Sequence, residues 1–142
     1  MITLPIDLTT HRFEWTQVYN DTISSNTDTD SSAVDLQDYE GPVHVQFSFG
    51  NVGDASTTIV LSLRESTASA GIYSAVSGVS TTLTASASAN DNVTKILRAD
   101  SYTKRYLKAR VTTSGGTASV PVVITVIGRL KRAGGTGIKT DG

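Results

Sequence analysis

Val93-Thr94-Lys95-Ile96-Leu97-Arg98-Ala99-Asp100-Ser101-Tyr102-Thr103-Lys104-Arg105-Tyr106-Leu107-Lys108-Ala109-Arg110-Val111-Thr112-Thr113-Ser114-Gly115-Gly116-Thr117-Ala118-Ser119-Val120-Pro121-Val122-Val123-Ile124-Thr125-Val126 is the stretch that decides the fold. It carries two strong strand signals, a pair of glycines and much of the positive charge. Side chains of a strand alternate between its faces. The alternation therefore puts Arg105, Leu107, Ala109 and Val111 on one side and Lys104, Tyr106, Lys108 and Arg110 on the other. The first side is a core face whose one charge, at the strand's start, can reach solvent. The second is basic, with an aromatic in it. Ser114-Gly115-Gly116-Thr117 is expected to be a hairpin turn, because paired glycines supply the positive φ of tight turns. Ala118 to Ile127 returns as a strand apolar enough for a central position or burial on both faces, with a bulge or an edge position at Pro121, which lacks a ladder donor.

The same alternation recurs upstream. Val43, Val45, Phe47 and Phe49 face inward, with His44, Gln46 and Ser48 outward; Ile59, Leu61 and Leu63 repeat the pattern. The spacing from Phe49 to Thr57 suits an antiparallel neighbour joined by a modest loop. Gly71 to Gly78 reads as a short strand ending in a turn, Val79 to Ser86 as a weak edge strand, and Val93 to Arg98 as another strand. With some eight strands and no helical period, the expected fold is all-β: an antiparallel β-sandwich or jelly roll. Three segments are expected. Residues 1–34 form an extended N-terminal arm and polar linker, 35–130 the sandwich, and 131–142 a short, flexible, basic, glycine-rich C-terminal tail. In the arm, Phe13, Trp15, Val18 and Tyr19 make a short extended element, and Asn20 to Ser32 is too polar to fold alone. Trp15 reads as core at the sandwich edge, as an anchor on a neighbouring subunit, or as a sugar-stacking platform.

Net charge is −1, which argues against a dedicated nucleic-acid binder. Its distribution is polar along the chain. Up to Asp54 nine acids face Arg12 alone, about −8; from Asn92 onward ten bases face Asp100 and Asp141, about +8. Either acidic and basic strands are neighbours within one fold, or the two ends complement each other between copies. Candidate partners for Lys104, Lys108 and Arg110 are Asp28, Asp30, Asp35 and Asp38.

There is no cysteine, so disulfides, thiolate metal sites and cysteine nucleophiles are excluded. No apolar run reaches transmembrane length, and the opening M-I-T-L-P-I-D-L lacks the basic and apolar regions of a signal peptide. His11 and His44 have no neighbouring base, nucleophile or ligand pattern. Asp28-x-Asp30 lacks the glycine and closing glutamate of a calcium loop. Gly134-Gly135-Thr136-Gly137 lacks the ending of a phosphate loop. Glu65 and Asp91 are carboxylates that nothing singles out. The expectation is a non-enzyme with no catalytic, cofactor or metal site.

Leu63-Arg64-Glu65-Ser66, then Tyr73-Ser74-Ala75-Val76-Ser77-Gly78, then Arg105-Tyr106-Leu107-Lys108 resemble small virion proteins of tailed bacteriophages, of the form L-x-E-S … W/Y-x-x-V-x-G … R-Y-L-R. The likeness covers about Asp35 to Leu130. It implies a head decoration, or cement, protein that binds the outside of an assembled capsid. Its partners would be the major capsid protein and copies of itself, as a homotrimer, with no nucleic acid and no membrane. The chain would be made in the host cytoplasm and reside on the capsid surface of the virion. Phe13, Trp15, Tyr19, Lys104, Lys108, Arg110, Arg129, Lys131 and Arg132 are the expected intersubunit contacts. On this reading, removing Met1 to Ser32 abolishes capsid occupancy and leaves the domain folded. The alternatives are a glycan-binding head or tail fibre module, since the arrangement is also distantly similar to discoidin-like jelly rolls, and a head–tail connector or tail component.

Overall fold

The computed structural model describes residues 13–52, 56–84, 93–100, 102–116 and 119–131. They form nine strands: β1 (Phe13–Ile23), β2 (Asp28–Asp30), β3 (Val34–Asp35), β4 (Tyr39–Phe49), β5 (Thr58–Ser66), β6 (Ser74–Thr84), β7 (Val93–Ala99), β8 (Tyr106–Ser114) and β9 (Val120–Leu130). One sheet has the order β1-β9-β4-β7 and the other β2-β8-β5-β6, with β3 also paired to β8; all pairings are antiparallel. This is the strand order of a jelly roll.

The inward faces read from the alternation are the core. Val43, Val45, Phe47 and Phe49 of β4 meet Ile59, Leu61 and Leu63 of β5 and Leu107, Ala109 and Val111 of β8, all buried. Val120, Val122, Ile124 and Val126 of β9 complete the first sheet's inner face. Phe47 and Phe49 stack at 6.4 Å between ring centroids.

Which strands pair is another matter. Phe49 and Thr57 do not end neighbouring strands, because β4 and β5 belong to opposite sheets. Nor is Ser114 to Thr117 a hairpin, because β8 and β9 also lie in opposite sheets. Gly115 and Gly116 do have positive φ, 69° and 63°, but they turn the chain across the sandwich. A side chain at Gly115 would run into the Ser56 carbonyl oxygen. The corner therefore packs against the β4–β5 connection, and glycine is required by space as well as by φ. Among the described strands only β5 and β6 are both consecutive and paired. In that pair Gly78, at φ 74°, sits in a bulge of one continuous strand, where Ser62 faces Ser80 but Arg64 faces Ala75. The expected turn at Gly78 and the split into two strands are thus replaced by one bulged strand. The long strand of the opening stretch, β8, starts at Tyr106.

Residues 13–34 are not an arm and linker. β1 pairs along its length with β9, and Val18 and Ile23 enter the core. The polar run Asn20 to Ser32 folds because its polar groups satisfy β8 and the glycine corner. Ser31 N donates to the Ala109 carbonyl (2.9 Å), and Ala109 N donates to Ser31 Oγ (3.0 Å). Asn26 Oδ1 accepts from Gly115 N at 3.0 Å. Pro121 is at neither an edge nor a bulge. It is the second residue of central strand β9, opposite Thr22 and one step beyond the last pairing with β4, Phe49 to Val122. The missing donor is tolerated at a strand's beginning. The tail expected at 131–142 lies outside the described residues except for Lys131, as do His11, Asp91 and Arg132.

Candidate interaction surfaces

Two sheet faces remain once the core is filled. The outer face of the β2-β8-β5-β6 sheet holds the basic strip. Arg110 Nε and Nη2 donate to Asp30 Oδ1 and Oδ2 at 2.6 and 2.9 Å, and Asp28 lies 3.5 Å from Arg110 Nη1. The Arg110 hydrogen bond holds the Asp30 carboxyl below the usual carboxylate range, against the opposing effect of partial burial. Lys108 Nζ stands 4.5 Å from the centroid of the Tyr73 ring, a cation–π contact. Lys104 Nζ donates to Ser74 Oγ at 2.8 Å.

Arg105, at the foot of β8, forks onto Asp35 at 2.9 and 2.7 Å. Arg129 pairs with Glu40 at 3.2 Å, and Lys131 Nζ donates to the Gln37 carbonyl at 2.7 Å. The charge asymmetry along the chain is therefore resolved inside the fold for Arg105, Arg110 and Arg129. Topology is the reason: β2 and β3 lie beside β8, and β4 beside β9, so early acids fall next to late bases.

Glu65 also has a definite place. Its buried carboxylate accepts from Thr103 N (2.7 Å), Thr103 Oγ1 (2.9 Å) and Lys104 N (3.2 Å), holding the corner that leads into β8. The L-x-E-S segment had singled it out only by resemblance. A carboxylate two residues after the last inward leucine of β5, level with the turn before β8, was the available physical signal.

The outer face of the β1-β9-β4-β7 sheet differs in character. Trp15, Ile127, His44 and Arg98 form one row across the four strands, and Gln17, Thr125, Gln46 and Ile96 the next. Trp15 is 66% exposed, Phe13 62% and Ile96 55%. Of the expected contact residues that are described, only Phe13 and Trp15 stand free on this face; Tyr19 is partly buried against the core, and burial pushes its phenol up. His44 has Ile127 and Arg98 as cross-strand neighbours, a setting with no general-base partner. Near one end of the face a shallow groove of about 460 Å³ is lined by Asn20, Asp21, Thr22, Ser48, Pro121 and Val123 among others. Among the described residues no group of three or more His, Asp or Glu could hold a metal ion. Among the described residues no helix is long and apolar enough to cross a membrane.

No protein-family model matches this chain, and no curated protein matches its sequence. Solved structures of similar fold do exist. The PBSX exported protein XepA matches with TM-score 0.56 at 13% identity, over 89% of this chain and 40% of that one. Dimeric latent PorU from Porphyromonas gingivalis matches with TM-score 0.57 at 13% identity, over 85% of this chain and 13% of that one. The VP2 subviral particle of infectious bursal disease virus matches with TM-score 0.54 at 12% identity, over 85% of this chain and 33% of that one. The chain thus spans less than half the length of each of these proteins. At such identities the likeness is one of fold.

Proposed function

We propose that this chain is a structural component of a virus particle, a jelly-roll module that attaches to the outside of an assembled phage capsid and stabilises it. The observation that carries the reading is the division of labour between the two outer faces. On one sheet Arg105 and Arg110 are already paired within the chain, whereas Phe13, Trp15 and Ile96 leave large apolar surface open on the other. Exposed aromatics of this kind are the usual anchors of protein interfaces. The resemblance of the L-x-E-S, Y-x-x-V-x-G and R-Y-L-K segments to phage virion proteins supports the same role. So does the use of a similar fold in a subviral particle. The mechanism is mass action: a module that binds only the assembled shell shifts the balance toward assembly.

The test is density for particles purified from cells that make the chain, followed by rebinding of the purified chain to particles stripped of it. Symmetric copies on the outer shell are expected. Thr125→Lys, at the middle of the open face, should weaken rebinding roughly tenfold or more with the fold unchanged. Density at the neck or tail assigns the chain to the head–tail machinery, and absence from particles overturns the reading.

The groove beside Pro121 favours a second reading, a glycan-binding module. Asn20, Asp21, Thr22 and Ser48 offer polar contacts, but among the described residues no aromatic lines the groove for stacking. Binding of the purified chain to a glycan array would establish it; a blank array would exclude it for the glycans displayed.

A further inference from the structure

Among the described residues, Phe13, Trp15, Val93, Ile96 and Ile72 are the exposed large hydrophobics; the first four lie on β1 and β7, the two rims of one sheet. An open rim bearing apolar side chains is a template for another strand. We propose that β1 of one copy pairs with β7 of the next, so that the four-stranded sheet runs on from copy to copy. This goes beyond attachment to a shell and does not depend on it.

Three observations fit together. The first is direction. β1, β9, β4 and β7 alternate, so β1 and β7 run opposite ways. A copy set alongside without being flipped then presents β7 antiparallel to β1, with outer faces level. Because the strand number is even, the alternating hydrogen-bond phase also matches when Trp15 stands opposite Ile96.

The second is chemistry in that register. On the outer face Phe13 meets Arg98, Trp15 meets Ile96 and Gln17 meets Thr94. An aromatic–cation contact, an aromatic–aliphatic pair and a polar pair are all favourable across strands. On the other face Lys95, which has no ion pair among the described residues, comes diagonally beside Glu14.

The third is the extent of the free rim. Ser32 N donates to the Val18 carbonyl at 3.1 Å. Among the described residues the open part of β1 is thus Phe13 to Gln17, five residues against the seven of β7. The contact is heterologous, so it closes into a ring or continues as a filament according to the rotation between copies.

The native chain has no cysteine, which makes the test clean. W15C and I96C chains are prepared separately, mixed and oxidised gently. Directly opposed cross-strand positions are close enough for a disulfide. Disulfide-linked dimers are expected in the mixture well above either chain alone, and a W15C/I96C double variant should give a ladder of higher oligomers. Dimers of W15C alone, or of I96C alone, at the level of the mixture would mean a symmetric rim-to-rim contact and overturn the proposal. So would a strictly monomeric native chain in sedimentation at high concentration. Ile96→Lys, at an exposed position, should abolish association without lowering the melting temperature. None of these readouts involves a shell, so the proposal can fail while attachment stands, or the reverse.

Discussion

Arg110 grips Asp30 with two parallel hydrogen bonds, joining a residue of the acidic first third to the basic strand β8. Both side chains are about three-quarters shielded, at 24% and 27% exposure. The pair therefore lies between an exposed ion pair and a buried one. Asp30→Asn should lower stability by about 1 kcal/mol, more than an exposed pair usually gives. Chemical denaturation at neutral pH measures it.

The same pair sets an acid limit. The folded Asp30 and Asp35 carboxyls are held low, first of all by hydrogen bonds from Arg110 and Arg105. A depressed folded pKa contributes stability that is full above the unfolded value, near 3.9, and is lost as pH falls through the lower folded value. Stability should therefore decline below about pH 5, and less steeply in Asp30→Asn. Parallel slopes for the two proteins between pH 5 and 2 would remove Asp30 from the account.

Glu65 holds the corner before β8 through three hydrogen bonds. Glu65→Ala leaves Thr103 N and Lys104 N without their partner and should cost about 2–3 kcal/mol, as expected for bonds to a charged acceptor. Thermal melting reads the loss. A Thr103→Val variant, which removes only the hydroxyl contact, should lose a smaller part of it.

At Gly115 both φ and space oppose a side chain. Gly115→Ala should destabilise by more than about 1 kcal/mol. Gly78→Ala, with positive φ but nothing near the added methyl, should cost less. Equal losses at the two sites would show that the Ser56 carbonyl gives way at little cost.

Removal of Met1 to Ser32 should unfold the protein rather than only detach it. The deletion strips β1 from central strand β9, removes β2 from β8, and takes Val18 and Ile23 out of the core. Loss of near-ultraviolet circular dichroism and of a sharp melting transition would be the signs. A cooperative transition in the shortened chain would restore the arm-and-domain reading.

Period-two patterning, through residues such as Phe47, Leu61, Leu107 and Ala109, determined the all-β class and the inward faces. A strand's geometry ties each side chain to one face whatever lies beside it. Glycine and proline marked real chain breaks or special positions at Gly78, Gly115 and Pro121, but not their kind. A turn back into the same sheet and a corner across to the other place similar local demands on the residues, and only the packed partner tells them apart. Hence Gly115 faces Ser56 and Asn26 instead of a paired β9.

The polar run Asn20 to Ser32 was opaque for the same reason. Its stability comes from β8 and the glycine corner, some 80 to 90 residues later in the chain, and not from any periodicity of its own. The exposed rim residues were legible as aromatics, Phe13 and Trp15, yet their setting was not. That they share one sheet with Ile96, at its opposite edge, followed only from the strand order, which long-range pairing decides.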